Sequence, residues 1–76
     1  MKALVTFVAK ALVDNPDLVQ VEEIEKDDTL VQVLRVGKDD LGKVIGKQGS
    51  TAKAIRTLLA ATASKREKKA KLEIIE

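Results

Sequence analysis

The sequence predicts an α+β domain in the order α-β-β-α-α-β, a three-stranded mixed sheet with three helices packed on one face. Three observations carry that prediction. Apolar residues recur at helical spacing near the start of the chain. Two runs rich in Val, Ile and Leu flank a polar "KDD". A pair of glycines, Gly46 and Gly49, separates a short helical segment from a longer one, ahead of a last apolar run.

In "MKALVTFVAKALVD", Leu4, Val8, Ala11 and Leu12, with Phe7 beside them, mark one side of a helix over about 2–13, and Phe7 is expected to be buried. Asp14, Asn15 and Pro16 stop it. Lys10 interrupts the apolar run, which reads as an amphipathic helix rather than a leader peptide. "LVQVEEIE" (18–25) and "TLVQVLRV" (29–36) read as an antiparallel hairpin. The second strand is apolar on both parities, at Leu30, Leu34 and Val36 and at Val31 and Val33, so it belongs in the centre of the sheet. Gly37 ends it. Asp39 or Asp40 can cap a short helix over about 40–45, which Gly46 terminates. Ser50 can cap a helix over about 50–63, with Ala52, Ile55, Leu58, Leu59 and Thr62 along its buried side. "SKREKKAK" is a basic connection to the final strand "KLEIIE" (71–76). The second strand reaches the third through two helices, so these strands should be parallel, with a right-handed crossover. One domain over 1–76 accounts for the whole sequence, without repeats or linkers.

Composition narrows the chemistry. The chain has no Cys and no His, which removes disulfides, thiolate metal sites and the commonest general base. The absence of Cys fits a cytoplasmic chain. No segment approaches the ~20 apolar residues of a membrane span. The net charge is only +2, but residues 1–40 carry five basic and nine acidic side chains, and residues 41–76 carry nine basic and three acidic. Such asymmetry suggests an anionic partner for the second half, or else two ordinary solvated faces.

The basic half holds "VIGKQGSTAKAIRTLL", from Val44 to Leu59. Glycine tolerates positive φ and leaves room for an approaching backbone. The loop leads into a helix N-terminus, whose free amide groups and partial positive charge favour phosphate. Lys47 adds a full charge and Gln48 a neutral donor, with Lys43, Lys53 and Arg56 nearby in sequence. Most G-x-x-G tetrapeptides are only turns. Here "VIG" before, a helix after and strands on both sides sharpen the signal.

"VIGKQGSTAKAI" resembles the signature of the K-homology (KH) domain, and the element order resembles its bacterial type II form over the whole chain. The chain most resembles the small single-KH bacterial RNA-binding family KhpA. The resemblance implies a loop, Gly46, Lys47, Gln48 and Gly49, that grips the backbone of single-stranded RNA. It puts Val44, Ile45, Ala52 and Ile55 near the groove and its core backing, and residues 65–69 in the variable loop on the far side. The RNA-binding set is therefore expected to be Lys43, Val44, Ile45, Gly46, Lys47, Gln48, Gly49, Ser50, Lys53, Arg56, Lys65, Arg66, Lys68 and Lys69, with no cofactor and no metal. The resemblance also implies self-pairing, pairing with a larger KH-containing protein of the KhpB/Jag family, RNA-chaperone activity and a role in cell shape and envelope growth. Ala52 stands where many such signatures carry a bulky aliphatic residue.

Two other patterns carry no site. "GKDDLGKV" contains G-x-x-x-x-G-K, but Val44 replaces the Ser or Thr that a P-loop needs for Mg²⁺. "EEIEKDD" lacks the spacing of a calcium loop. Phe7 is the only aromatic residue, so base stacking cannot dominate recognition. Two functions remain: a non-enzymatic RNA-binding protein, or a KH fold used mainly as a scaffold for pairing, with Ala60, Ala61 and Ala63 as a contact surface.

Overall fold

The computed structural model describes residues 1–76. The first helix, α1 (Lys2–Leu12), buries Val5 and Ala9, with Leu4 and Val8 half-buried beside them. Phe7 lies on the opposite side and is 74% exposed, and Ala11 and Leu12 are exposed as well. This reverses the expectation that Phe7 is core. Val5 and Ala9 are four residues apart, and Ala9 is fully buried. Its small side chain lets the helix lie close to the sheet, which a Phe on that stripe would prevent.

After Val13 the chain makes one 3₁₀ turn, Pro16–Leu18, closed by Leu18 N–H to the Asn15 carbonyl at 3.0 Å. This turn delays the first strand, β1 (Gln20–Lys26), by two residues relative to the expected start at 18. β1 pairs antiparallel with β2 (Thr29–Arg35), from Gln20↔Arg35 to Lys26↔Thr29, across the turn residues Asp27 and Asp28. The last strand, β3 (Lys69–Ile75), runs parallel to β2, from Thr29↔Lys69 to Arg35↔Ile75. The sheet order β1-β2-β3 places β2 at the centre, as its two apolar faces require. Leu30, Gln32 and Leu34 face the helices and are buried, while Val31 and Val33 are half-buried on the open side. Gln32 donates to Glu23 Oε1 at 2.6 Å, and its own amide oxygen is buried without a partner.

Between β2 and β3 come α2 (Leu41–Ile45) and α3 (Ser50–Ser64). Neither uses the cap the sequence suggested. Asp40 precedes α2, but its carboxylate turns instead to the end of α1, accepting Asp14 N–H at 3.1 Å and Asn15 N–H at 3.0 Å. Ser50 is the first residue inside α3, and Gly49 occupies the cap position without a side-chain bond. α3 buries Ala52, Ile55, Leu59 and Ala63, whereas Leu58, expected inside, is 51% exposed. Leu58 lies three residues past Ile55 and one before Leu59, on the outer flank of that stripe.

The basic connection is shorter than expected. α3 ends in a tight turn in which Arg66 and Lys68 N–H both reach the Ala63 carbonyl at 2.9 Å and Glu67 takes φ +58°. This is a left-handed helix end of the common kind. β3 then starts at Lys69, not 71, because Lys69 N–H bonds the Asp28 carbonyl at 2.8 Å and so joins the hairpin end of the sheet. One core of nine buried residues joins α1, β2, α2, α3 and β3, with Leu34, Val44 and Leu59 among its members.

Candidate nucleic-acid interface

The glycine loop is held in a shape few sequences allow. Gly46 N–H closes α2 on the Gly42 carbonyl at 2.8 Å, with φ +78° and ψ 172°. A Cβ there would stand 2.7 Å from the Thr51 backbone nitrogen and would collide with the Thr51 hydroxyl. Gly46 is therefore required by space and by conformation together. Gln48 (φ +56°) and Gly49 (φ +77°) follow in the left-handed region. Nothing lies within 4 Å of a Cβ placed on Gly49, so only its backbone angle asks for glycine. The turn leaves Lys47 and Gln48 exposed. The amide groups that open α3 meet no capping side chain, and Lys47 enters no ion pair. Within the turn Gly49 N–H is bonded to the Gly46 carbonyl at 3.1 Å and Ser50 N–H to the Lys47 carbonyl, so a cation stands beside a helix start that no side chain caps.

From this loop, Ala52, Arg56 and Ala60 follow at four-residue spacing along one row of α3. A groove of about 490 Å³ opens between α3 and β3, lined by Arg56, Ala60, Ala70, Lys71, Leu72 and Glu73. Four consecutive residues of β3 contribute, so the edge of the strand itself is one wall. Lys69 N–H and the Ile75 carbonyl are bonded toward β2 and its hairpin, at 2.8 and 3.2 Å. Peptide groups alternate along a strand, so those of Ala70, Leu72 and Ile74 point to the unpaired edge. The groove therefore offers an aliphatic floor, free backbone donors and acceptors, and the cations Arg56 and Lys71.

The other expected residues divide by position. Val44 is fully buried and Ile55 is 5% exposed, both in the core, while Ile45 is 37% exposed beside the loop. Ala52 is buried beneath the loop end of α3. Lys53 and Ser50 are exposed on α3, and Lys65 and Arg66 are exposed at the far turn. Lys69 lies in β3 rather than in a loop. Two lysines are occupied within the fold. Lys43 Nζ sits 2.8 Å from Asp14 and 3.5 Å from Asp40, and the hydrogen bond to Asp14, above all, raises its pKa. Lys68 Nζ sits 2.8 Å from Glu25, and its hydrogen bond and charge lower the Glu25 pKa. Lys71 and Leu72 were not singled out by sequence reasoning, and Ala60 was expected at a pairing surface rather than in the groove. The alternation of "KAKLEII" could have shown Ala70, Leu72 and Ile74 on one face, but the open edge depends on the sheet order.

No group of three or more acidic, His or Cys side chains is placed to hold a metal, and no helix is long and apolar enough to cross a membrane.

A family model described as the KhpA/KhpB KH domain matches residues 2–74. The chain is 53% identical over 75 residues to the RNA-binding protein KhpA of Caldanaerobacter subterraneus subsp. tengcongensis, covering 99% of this chain and 100% of that one. It is 51% identical to the KhpA of Clostridium perfringens with the same coverage. It is also 51% identical to that of Listeria monocytogenes, over 100% of both chains. No solved structure matches. Family match, end-to-end identity and an α-β-β-α-α-β fold around a G-x-x-G loop agree, and the chain belongs to the KhpA/KhpB family of KH domains.

Proposed function

We propose that this is a non-enzymatic, single-stranded RNA-binding protein that grips the phosphate backbone with the loop Gly46–Gly49 and the start of α3. The observation that carries this reading is the junction of a helix N-terminus without a side-chain cap, an ion-pair-free Lys47 and a groove with a free strand edge. The relatives' name, RNA-binding protein, points the same way. Phosphates meet the loop amides, Lys47 and Arg56. Bases lie on Ala60 and Leu72, with their edges toward the peptide groups of Ala70 and Leu72. The groove wants a splayed strand, which a duplex with its bases stacked inside does not supply. Phe7 is on the outer side of α1, so stacking plays no part and affinity should be modest. RNA-chaperone activity, a cytoplasmic location and a role in cell shape and envelope growth, as the family resemblance implies, go with this reading.

Titration of labelled RNA is the test. A mixed-sequence single strand should bind more tightly than the corresponding duplex. With phosphate contacts from Lys47, Arg56 and Lys71, log K should fall against log salt with a slope of about −2. No binding to single strands at low salt would leave the scaffold reading in its place.

The scaffold reading has an observation of its own. Leu58 is 51% exposed on the outer face of α3, with Ala54 and Ala61 exposed beside it. Of the alanines expected to form a contact, Ala63 is fully buried in the fold and Ala60 lines the groove, so the surface moves to Leu58, Ala54 and Ala61. An exposed leucine between small residues suits close approach of a second copy, or of a KhpB/Jag-type partner. Sedimentation at about 100 µM should find dimer for the parent and monomer for Leu58→Asp, with the fold intact. A parent that stays monomeric would rule out the homodimer.

A further inference from the structure

We propose, resting on the RNA-binding reading above, that Glu73 makes the groove select guanine. Glu73 is the one carboxylate among the groove's lining residues, which include Arg56 and Lys71, and it enters no ion pair with either. A bare carboxylate beside a phosphate path weakens binding through repulsion, unless a base donates to it.

The neighbouring chemistry says which base. Ala60, Ala70 and Leu72 form an aliphatic floor that takes the face of a base without regard to its identity. The edge of that base then meets β3, where Leu72 turns its N–H and carbonyl to the unpaired edge, and the exposed Glu73 follows it on the strand, rooted on the face away from the helices, so that its side chain reaches the base around that edge. Guanine carries an acceptor, O6, followed by two donors, N1–H and N2–H. Leu72 N–H donates to O6, and the two oxygens of Glu73 accept N1–H and N2–H together. Adenine and cytosine each offer one amino group beside an acceptor nitrogen, which satisfies one carboxylate oxygen only. Uracil sets two carbonyls around a single N–H, and both repel the carboxylate. Arg56, on the opposite wall, remains free for the adjoining phosphate. The expected order is guanine first, adenine and cytosine next, uracil last.

The probes are three 5′-labelled hexamers: hexauridine, the same strand with one central guanosine, and the same strand with inosine there, which lacks the N2 amino group. Binding is read by anisotropy for the parent and for Glu73→Gln, with circular dichroism to verify folding. The parent should bind the guanosine strand about tenfold more tightly than hexauridine, with inosine between them. In Glu73→Gln the guanosine and inosine strands should come within about twofold, and hexauridine should bind more tightly because a negative charge is gone. A parent that binds all three equally, or a Glu73→Gln protein that keeps the full guanosine preference, overturns the proposal while leaving RNA binding in place. A parent that binds none of the three overturns RNA binding, and guanine selection with it.

Discussion

Replacing Lys47 and Gln48 together with aspartate is expected to lower RNA affinity at least tenfold, roughly 1.4 kcal/mol, while the fold survives. Both side chains are exposed, and Lys47 makes no ion pair that the fold would lose. Gln48 holds φ +56°, a region in which Asp is among the better-tolerated residues, so the second substitution suits the backbone. The stability change should be small, on the order of 0.5 kcal/mol. Binding should change far more. Two carboxylates would face the phosphate that the proposed reading seats at the start of α3, opposing the attraction of the helix end. Loss of one lysine contact should also flatten the salt slope by about 0.7. The measurement is a salt-series titration of single-stranded RNA beside a thermal melt. A folded double variant with parental affinity would remove the loop from the binding site. A variant that fails to fold would mean that the loop tolerates less than its exposure implies.

The element order, the central place of β2, its parallel pairing with β3 and the glycine loop are all legible in the amino-acid sequence. Each rests on local pattern: period, parity, breaker residues and the length of a crossover. The failures share another cause. The buried side of α1 is not legible in the same way, because Leu4, Val8 and Leu12 form as good a helical stripe as Val5 and Ala9 with their neighbours. What decides between them is how near the helix lies to the sheet, and a small Ala9 wins over a large Phe7. Hydrophobicity ranks those residues in the opposite order.

Charge behaves similarly. The basic half is visible in the sequence, but the partners of its lysines are not. Lys43 lies 29 residues from Asp14 and Lys68 lies 43 from Glu25, and only the tertiary fold joins them. The two oppositely charged halves thus neutralise each other at their seams. Lys47, Lys53, Arg56, Lys65, Arg66, Lys69 and Lys71 remain outside any ion pair, and of these Lys47, Arg56 and Lys71 follow the loop and groove. The asymmetry therefore divides: Lys43 and Lys68 join the two halves, and part of the unpaired charge lines the groove to which we assign the RNA.

Asp40→Ala is expected to have the largest effect on stability, lowering the thermal midpoint by on the order of 10 °C. The carboxylate is 1% exposed and ties three parts of the chain together. It accepts the Asp14 and Asn15 amides, which α1 leaves unsatisfied as the chain turns away, and it lies 3.5 Å from Lys43 on α2. Alanine would leave those backbone donors without an acceptor beneath the helix that carries the glycine loop. Asn should fall between, since its one carbonyl oxygen replaces two. Lys43→Gln is the control: it keeps both backbone bonds and should cost much less, because the lysine is partly exposed. The pH dependence separates this account from simple loss of packing. The Asp14 amide, then the Asn15 amide and Lys43, hold the Asp40 pKa below its ordinary value against the opposing effect of burial. The stabilisation is therefore complete above the unfolded-state pKa of about 3.9 and is lost as pH falls through the lower folded value. Glu25, also lowered, by Lys68, adds to the same acid limb in parent and variants alike. Melts from pH 7 down to 2 should show the gap between parent and Asp40→Asn constant near neutrality and closing in acid. A gap that persists unchanged at pH 2, or an Asp40→Ala protein that melts with the parent at pH 7, would mean that Asp40 does not brace the end of α1.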